Sequence, residues 1–368
     1  MVHRYFSSAA RLLGALALVN ALLCVVSVQA ADTAPSKSAK WKAPRTADGT
    51  PDLQGTWTNA TITPFERPAE YGERLVLTNE EAFKLEHAEA AAVEKGNEPT
   101  DPKLGIKDLP YDCGRGFTGT NCGYNGFWVD PGTQVITLNG EKRSSMIVDP
   151  PNGKVPPQTA EARARGGARM AAFRGGGGGG SADGPEVRSL GERCLLSFGS
   201  SAGPPMIPLL YNNNYQIVQT KDTVTILVEM VHDARIVRMN DKHLPSNIRK
   251  WMGDSIGRWD GETLVIETTN FHPQQSYRGA SENLKVTERL TRVSPQQILY
   301  RFTIEDPTTF TQPWSGEVAM NVTDGQIYEY ACHEGNYALP GILAGAREQE
   351  AAAKTAPAPV ATPVKTTK

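Results

Sequence analysis

Two short stretches of the chain concentrate ionisable side chains. Glu229-Met-Val-His-Asp-Ala-Arg235 holds four within seven positions, and Tyr328-Glu-Tyr-Ala-Cys-His-Glu-Gly-Asn336 holds Glu329, His333 and Glu334. Histidine is the side chain best suited to move a proton near neutral pH. With His232 or His333 as base, Glu229, Asp233, Glu329 or Glu334 as acid or orienting group, and Arg235 as anion stabiliser, the two stretches would support lyase or hydrolase chemistry, acid/base or metal-assisted. That requires them to meet in space. The spacings H-x-H and H-E-x-x-H, an Asp-rich calcium loop and a G-x-S-x-G elbow do not occur in the sequence. No metal or cofactor is therefore assigned.

A second set of residues suits binding rather than catalysis. Tyr215, Trp251, Trp259, Tyr300 and Tyr328 could line a pocket for a sugar ring or an apolar ligand. Glu288 joins them because alternate residues of a strand share a face. In Lys285–Val293 it falls between Val286 and Leu290, and Asp306 likewise ends the face Ile298, Tyr300, Phe302, Ile304. A carboxylate on an apolar face is costly unless paired or hydrogen-bonded. Either it takes a basic partner, from Arg235, Arg258, Arg278, Arg289 and Arg301, or it lines a polar cavity. Asp306 precedes Pro307, so a turn-capping role is open too.

The elements that must position these groups are mostly strands. Candidates are Leu53–Trp57, Phe127–Val135, Lys142–Val148, Tyr215–Thr220, Thr223–Val231, Ala234–Met239, Glu262–Phe271, Lys285–Val293, Gln297–Asp306, Trp314–Val322 and Ile327–Cys332. Asn139-Gly140, Asp260-Gly261 and Asp324-Gly325 read as hairpin turns. The reading is a mainly β protein: an antiparallel up-and-down barrel of about ten strands, lipocalin-like, with peripheral helices, and a sandwich as the alternative. Helices are expected at 78–95, where Thr78 and Glu81 form a capping box, and at 340–354.

Domain boundaries follow composition. Residues 1–30 read as a signal peptide, with Arg4 and Arg11 before an apolar run and cleavage after Val28-Gln29-Ala30. Residues 31–50 form a flexible leader, and 51–157 the loop-rich opening of the β-domain. Residues 158–189 are an Ala/Arg/Gly-rich insertion expected to be disordered; its glycine run lacks the Lys-Ser/Thr of a phosphate loop. The barrel core and last helix occupy 190–354, and 355–368 is a disordered tail. Export to the periplasm or beyond suggests disulfides. Cys113–Cys122 is the preferred local staple, leaving Cys194–Cys332 as a long-range clamp, with buried thiols as the alternative. Lys+Arg of 38 against Asp+Glu of 40 excludes a chain-wide basic nucleic-acid binder, and no segment of the mature chain is apolar enough to span a membrane.

Tyr211-Asn-Asn-Asn-Tyr-Gln-Ile-Val-Gln-Thr220, Trp251-Met-Gly-Asp-Ser255, Gly257-Arg-Trp-Asp-Gly-Glu-Thr-Leu-Val265 and Tyr328-Glu-Tyr-Ala-Cys-His-Glu-Gly-Asn-Tyr337 resemble an uncharacterised family of secreted β-rich proteins of Gram-negative bacteria. The likeness covers roughly residues 190–347 and implies export without implying an activity. Gly55-Thr-Trp57 is similar to the G-x-W opening of lipocalin-type barrels. The resulting expectation is an exported small-molecule-binding barrel with an aromatic pocket gated by polar groups at one end. The alternatives are an enzyme using His232 or His333, and an envelope interaction protein without a pocket. Oligomeric state is left open.

Overall fold

The computed structural model describes residues 41–96, 103, 130–175, 182–197, 203–275 and 277–355. The expected signal peptide, the Cys113–Cys122 staple and the disordered tail beyond Thr355 lie outside the described residues. In chain order the strands are β1 (Gly55–Thr58), β2 (Val76–Leu77), β3 (Thr137–Leu138), β4 (Glu141–Arg143), β5 (Ile147–Asp149), β6 (Asn214–Gln219) and β7 (Thr223–Val228). They continue with β8 (Asp233–Met239), β9 (Asp254–Asp260), β10 (Thr263–Thr269), β11 (Lys285–Ser294), β12 (Gln297–Glu305) and β13 (Trp314–Val322). The helices are α1 (Asn79–Gly96), α2 (Ala160–Gly175) and α3 (Ala338–Thr355).

Nine strands close into a barrel in the order β1-β6-β7-β8-β9-β10-β11-β12-β13, with β13 returning to β1 through Trp57↔Val322 and Thr58↔Asn321. β5 adds a tenth strand on the remaining edge of β13, at Ser315 and Gly316. Closure removes the exposed edges of an open meander. An odd ring cannot alternate direction all the way round, so one pair of neighbours must be parallel. That pair is β8 and β9, with Val237 opposite Ser255. The connection 240–253 carries the chain back along the barrel to make it. The sequence reading anticipates a barrel but not this crossover, and it omits β9 itself.

Period-2 burial builds the interior. Val224, Ile226 and Val228 of β7, Val286, Glu288 and Leu290 of β11, and Ile298, Tyr300, Phe302 and Ile304 of β12 are all buried. Two glycines are required by packing. A Cβ at Gly257 would lie 2.8 Å from Met239 Sδ and Val237 Cγ1, and Gly316 faces its register partner Phe302, whose ring takes the missing volume. Trp314 is ringed by Phe65, Phe302 and Phe310 at edge-to-face angles, with centroids 5.8–5.9 Å away, a favoured aromatic geometry.

Outside the ring, β2, β4 and β3 form a small sheet. Its β3–β4 hairpin turns at Asn139 and Gly140, both at positive φ, 53° and 81°, as an Asn-Gly turn predicts. α1 starts with the expected capping box: Glu81 N donates to Thr78 Oγ1 at 3.2 Å and Thr78 N to Glu81 Oε2 at 2.8 Å. Ala82 and Leu85 pack it against Leu77 and Val135.

Four expectations are corrected. The expected strand Phe127–Val135 is not formed over its described residues 130–135. Ala160–Gly175 is helical rather than disordered, because Thr159 caps it (Ala162 N to Thr159 Oγ1, 3.0 Å) and alanine-rich sequence favours helix. The β9–β10 loop is Gly261-Glu262, since Asp260 still pairs with Thr263. Ile327–Cys332 is not a strand: β1 already occupies the edge of β13 beyond Gly316. Asp324-Gly325 consequently opens an extended segment instead of a hairpin.

Candidate functional site

The barrel has an upper end, where β1, β7, β10 and β12 finish and β6, β8, β9, β11 and β13 begin. Both ionisable clusters gather there. After β7 the chain makes a short 3-10 turn over Met230–His232 before β8. His232 adopts φ 49°, so it leaves the line of the β7 strand. It is exposed, and its Nδ1 lies 2.7 Å from the carbonyl of Tyr330. Glu229 is 2% exposed. It accepts from Asn214 Nδ2 at 2.8 Å and from Tyr328 N at 3.0 Å.

These bonds fasten the segment after β13 as a strap across the upper end. Tyr330 stacks on Tyr211 with centroids 6.3 Å apart. Cys332 is bonded to Cys194, 138 residues away in sequence, as the clamp pairing expects. Asn336 Nδ2 donates to Glu192 O at 2.7 Å. Asp233, Glu329, His333 and Glu334 are exposed around this strap. The strap therefore brings the His232 and His333 stretches to one barrel end, with His232 spent on a backbone carbonyl. Among the described residues no three His, Cys, Asp or Glu side chains are grouped to hold a metal ion.

Beneath the strap, inside the barrel, Arg235 of β8 meets Glu288 of β11. Nη1 donates to Oε2 and Nη2 to Oε1, the latter at 3.1 Å, a bidentate pair with side chains 3% and 0% exposed. Tyr300 donates its hydroxyl to Glu288 Oε1 at 2.8 Å and accepts from Met206 N at 2.9 Å. Burial pushes the Tyr300 phenol well above its ordinary pKa, and the Glu288 charge pushes it further. Burial also raises the pKa of Tyr215. Of the two fates open to Glu288, pairing with a named arginine is the one realised. Asp306 takes the capping role. Its carboxylate accepts from Ser281 N at 2.6 Å, Thr308 N at 3.0 Å and Thr309 Oγ1 at 2.7 Å. Burial alone would raise its pKa; the bonds from Ser281, Thr308 and Thr309 outweigh that and hold it below the usual carboxylate value.

The aromatic residues expected to share one pocket are dispersed. Tyr215 and Tyr300 are 1% and 0% exposed and belong to the packed interior with Glu288. Trp259 is half-buried near the end of β9, at the lower end of the barrel. Trp251 lies before β9 and stacks on His272 at 3.9 Å, with Arg193 over its ring. Tyr328 is 69% exposed on the strap. Alternation distinguishes inside from outside but says nothing of which end of a strand meets which loop, and that is why these residues separate.

Open concave space lies elsewhere at the upper end. A cleft of about 450 Å³ opens between the start of α2 and the 279–283 loop, lined by Gln158, Glu161, Arg165, Gly166, Ser281 and Asn283 among others. A second, of about 390 Å³, lies on the β12–β13 loop. Gln158 Nε2 donates to Arg278 O at 3.2 Å and Ser281 Oγ pairs with Thr308 Oγ1 at 2.9 Å, fixing the cleft walls. Sequence reasoning passed over these residues, since none belongs to a strand face or a charged cluster; the capping Thr159 was the available signal. A charged ladder on the outer wall was also missed. Arg238, Asp254, His243, Glu267, Lys285 and Glu305 follow one another across β8 to β12, joined by contacts of 2.8–3.7 Å.

Comparison of the chain with protein-family models, curated proteins and solved structures gives no match. Among the described residues no helix is long and apolar enough to cross a membrane.

Proposed function

We propose that this protein is an exported small-molecule-binding β-barrel protein, periplasmic or secreted, whose ligand is taken at the upper end of the barrel. The observation that carries this reading is the 450 Å³ cleft beside α2, a volume within the range of small-ligand sites. Its lining mixes amides, hydroxyls, the Glu161–Arg165 pair and Glu282 with the small residues Ala162, Gly166 and Ala280. The interior offers the opposite: side chains at 0–3% exposure that bond to one another. A ligand is thus expected on the barrel end and not within it. The Cys194–Cys332 disulfide supports export, since such bonds persist in oxidising compartments, and so does the resemblance to secreted β-rich proteins.

The test uses a panel of sugars, amino acids and organic acids, read by thermal shift and native mass spectrometry. A ligand at a hundred times its Kd adds about 2.7 kcal/mol, on the order of 5 °C for a domain of this size. Gly166→Trp is the matched control. Gly166 lines the cleft and a Cβ there meets nothing within 4 Å, so an indole is expected to obstruct the cleft without disturbing the barrel. Stabilisation by one chemical class, lost in Gly166→Trp, is the expected result. Stabilisation that Gly166→Trp leaves intact would place the ligand elsewhere, and no stabilisation across the panel would remove the binding reading.

A further inference from the structure

The connection 240–253, which lets β8 and β9 lie parallel, has no core of its own. No residue from 240 to 251 is buried, and Ile248 is 44% exposed. Polar contacts hold it to the barrel wall instead. Near its start, His243 lies between two carboxylates. Nδ1 is 3.1 Å from Asp254 Oδ2 on β9, and Nε2 is 3.2 Å from Glu267 Oε1 on β10. Burial would raise the pKa of Asp254, but the bonds from Arg238 and Leu244 N hold it low, and Lys285 lowers that of Glu267. Both groups therefore only accept. A neutral imidazole has one N–H and one lone pair, so it satisfies one of them; an imidazolium donates to both. The backbone is fixed at the same point, since Leu244 N donates to Asp254 Oδ2 at 3.0 Å and Asn270 Nδ2 to Leu244 O at 2.9 Å.

The later part of the connection reaches the cleft. Arg249 Nη1 donates to Phe271 O and Glu282 O, each at 3.1 Å, and Nη2 lies 3.4 Å from Glu282 Oε2. Glu282 lines the cleft beside α2. We propose that His243 is a proton-operated clasp that sets how firmly the 279–283 wall of the cleft is held. As regulation of ligand uptake this rests on the cleft being the binding site; the clasp itself does not. The imidazolium bridges β9 and β10, draws the connection onto the wall, and so fixes Arg249 on the loop. Loss of the proton turns one lone pair towards a carboxylate, and the connection and Arg249 loosen together. The charged groups around His243 are Asp254 and Glu267, then Arg238, Lys250 and Lys285 bonded to these, with Asp241 on Arg238. Of these side-chain types only imidazole changes charge close to neutral pH.

The experiment is amide hydrogen exchange on the ligand-free protein at pH 6 and pH 8.5, expressed as protection factors so that the intrinsic effect of pH is removed. Protection of Leu244, Lys250, Asn283 and Leu284 should fall on the order of fivefold at the higher pH, while Leu290 and Tyr300 in the barrel keep theirs. His243→Gln, its fold checked by near-ultraviolet circular dichroism, should sit at the loosened level at both pH values. Arg249→Met should keep the response at Leu244 and lose it at Asn283 and Leu284. Protection that ignores pH, or a response that survives in His243→Gln, overturns the clasp. A response at Leu244 that never reaches Asn283 and Leu284 overturns its hold on the cleft wall. No ligand enters the measurement, so a ligand panel that fails leaves the clasp standing, and a flat pH response leaves the binding reading standing.

Discussion

Arginine–carboxylate contacts do different work inside and outside this barrel. Inside, Arg235 and Glu288 face each other almost without solvent, each the other's only charged partner in hydrogen-bonding range among the described residues. Outside, Asp254 receives Arg238, His243, Lys250 and the amide of Leu244, while Glu267 is shared between His243 and Lys285. Burial would raise the pKa of Asp254, but the bonds from Arg238, Leu244 N and His243 outweigh it and leave the carboxyl well below its ordinary value. Glu267 is lowered as well, first by Lys285. Among the described residues the inner pair has no substitute for a lost member. The ladder has several, and water reaches most of them. Redundancy and solvent access, more than the number of ion pairs, decide what each region contributes.

The sharpest way to break this contrast is Glu288→Gln, which strands the Arg235 guanidinium in the interior. Loss of about 3–5 kcal/mol is expected, measured by urea unfolding; a loss below 1 kcal/mol would show that water reaches the pair. Removing both charges, Arg235→Met with Glu288→Leu, should recover most of that loss. The recovery would fall short by about 1 kcal/mol for the hydroxyl of Tyr300, which loses its acceptor. A double variant as unstable as the single would mean that the pair is required for correct packing. On the ladder, Asp254→Asn should cost about 1–2 kcal/mol through weakened hydrogen bonds.

Two ladder carboxylates and the capping Asp306 contribute to the response to acid. The folded pKa values of Asp254, Glu267 and Asp306 lie below the unfolded ones, so the unfolded chain takes up protons first. Their stabilisation is whole above about pH 5 and drains away as pH falls towards the folded values. Melting temperature should be flat from pH 7 to 5 and then decline, less steeply in Asp254→Asn; an unchanged slope would exclude Asp254 as a contributor. The smallest effect belongs to Lys285→Met at the ladder's end, at most about 1 kcal/mol and reduced further by salt.

Much of the inner region is legible in the sequence. Alternation places Glu288 between Val286 and Leu290, and the need to pair it points to a short set of arginines that includes the right one. The turn chemistry at Asn139-Gly140 and the cap at Thr78 are local, and they hold. The ladder is hidden because it depends on register: Arg238, Asp254 and Glu267 become neighbours only once β8 and β9 lie parallel. β9 escapes notice because its inward residues are Ser255, Gly257 and Trp259, and the glycine is there to admit Met239 and Val237. Ile327–Cys332 has the alternation of a strand, but ring closure has already assigned the edge it would need. Periodicity reports what a segment prefers; it cannot report which places are taken.

The pairing of β1 with both β6 and β13 has a consequence for the order of assembly. From β9 to β13 each strand pairs with the next one in sequence, so the contacts of this half are closer along the chain than those that close the ring. β1 can seal the ring only after the final strand has been made, since Trp57 must find Val322. Contacts so distant along the chain are slow to form. In pulse-labelled hydrogen exchange the amides of β10, β11 and β12 should gain protection before those of Thr56 to Thr58. The first stave to leave the ribosome would then be the last to enter the ring, and until it does, both flanking strands offer their edges to whatever chaperone or neighbouring chain is nearby.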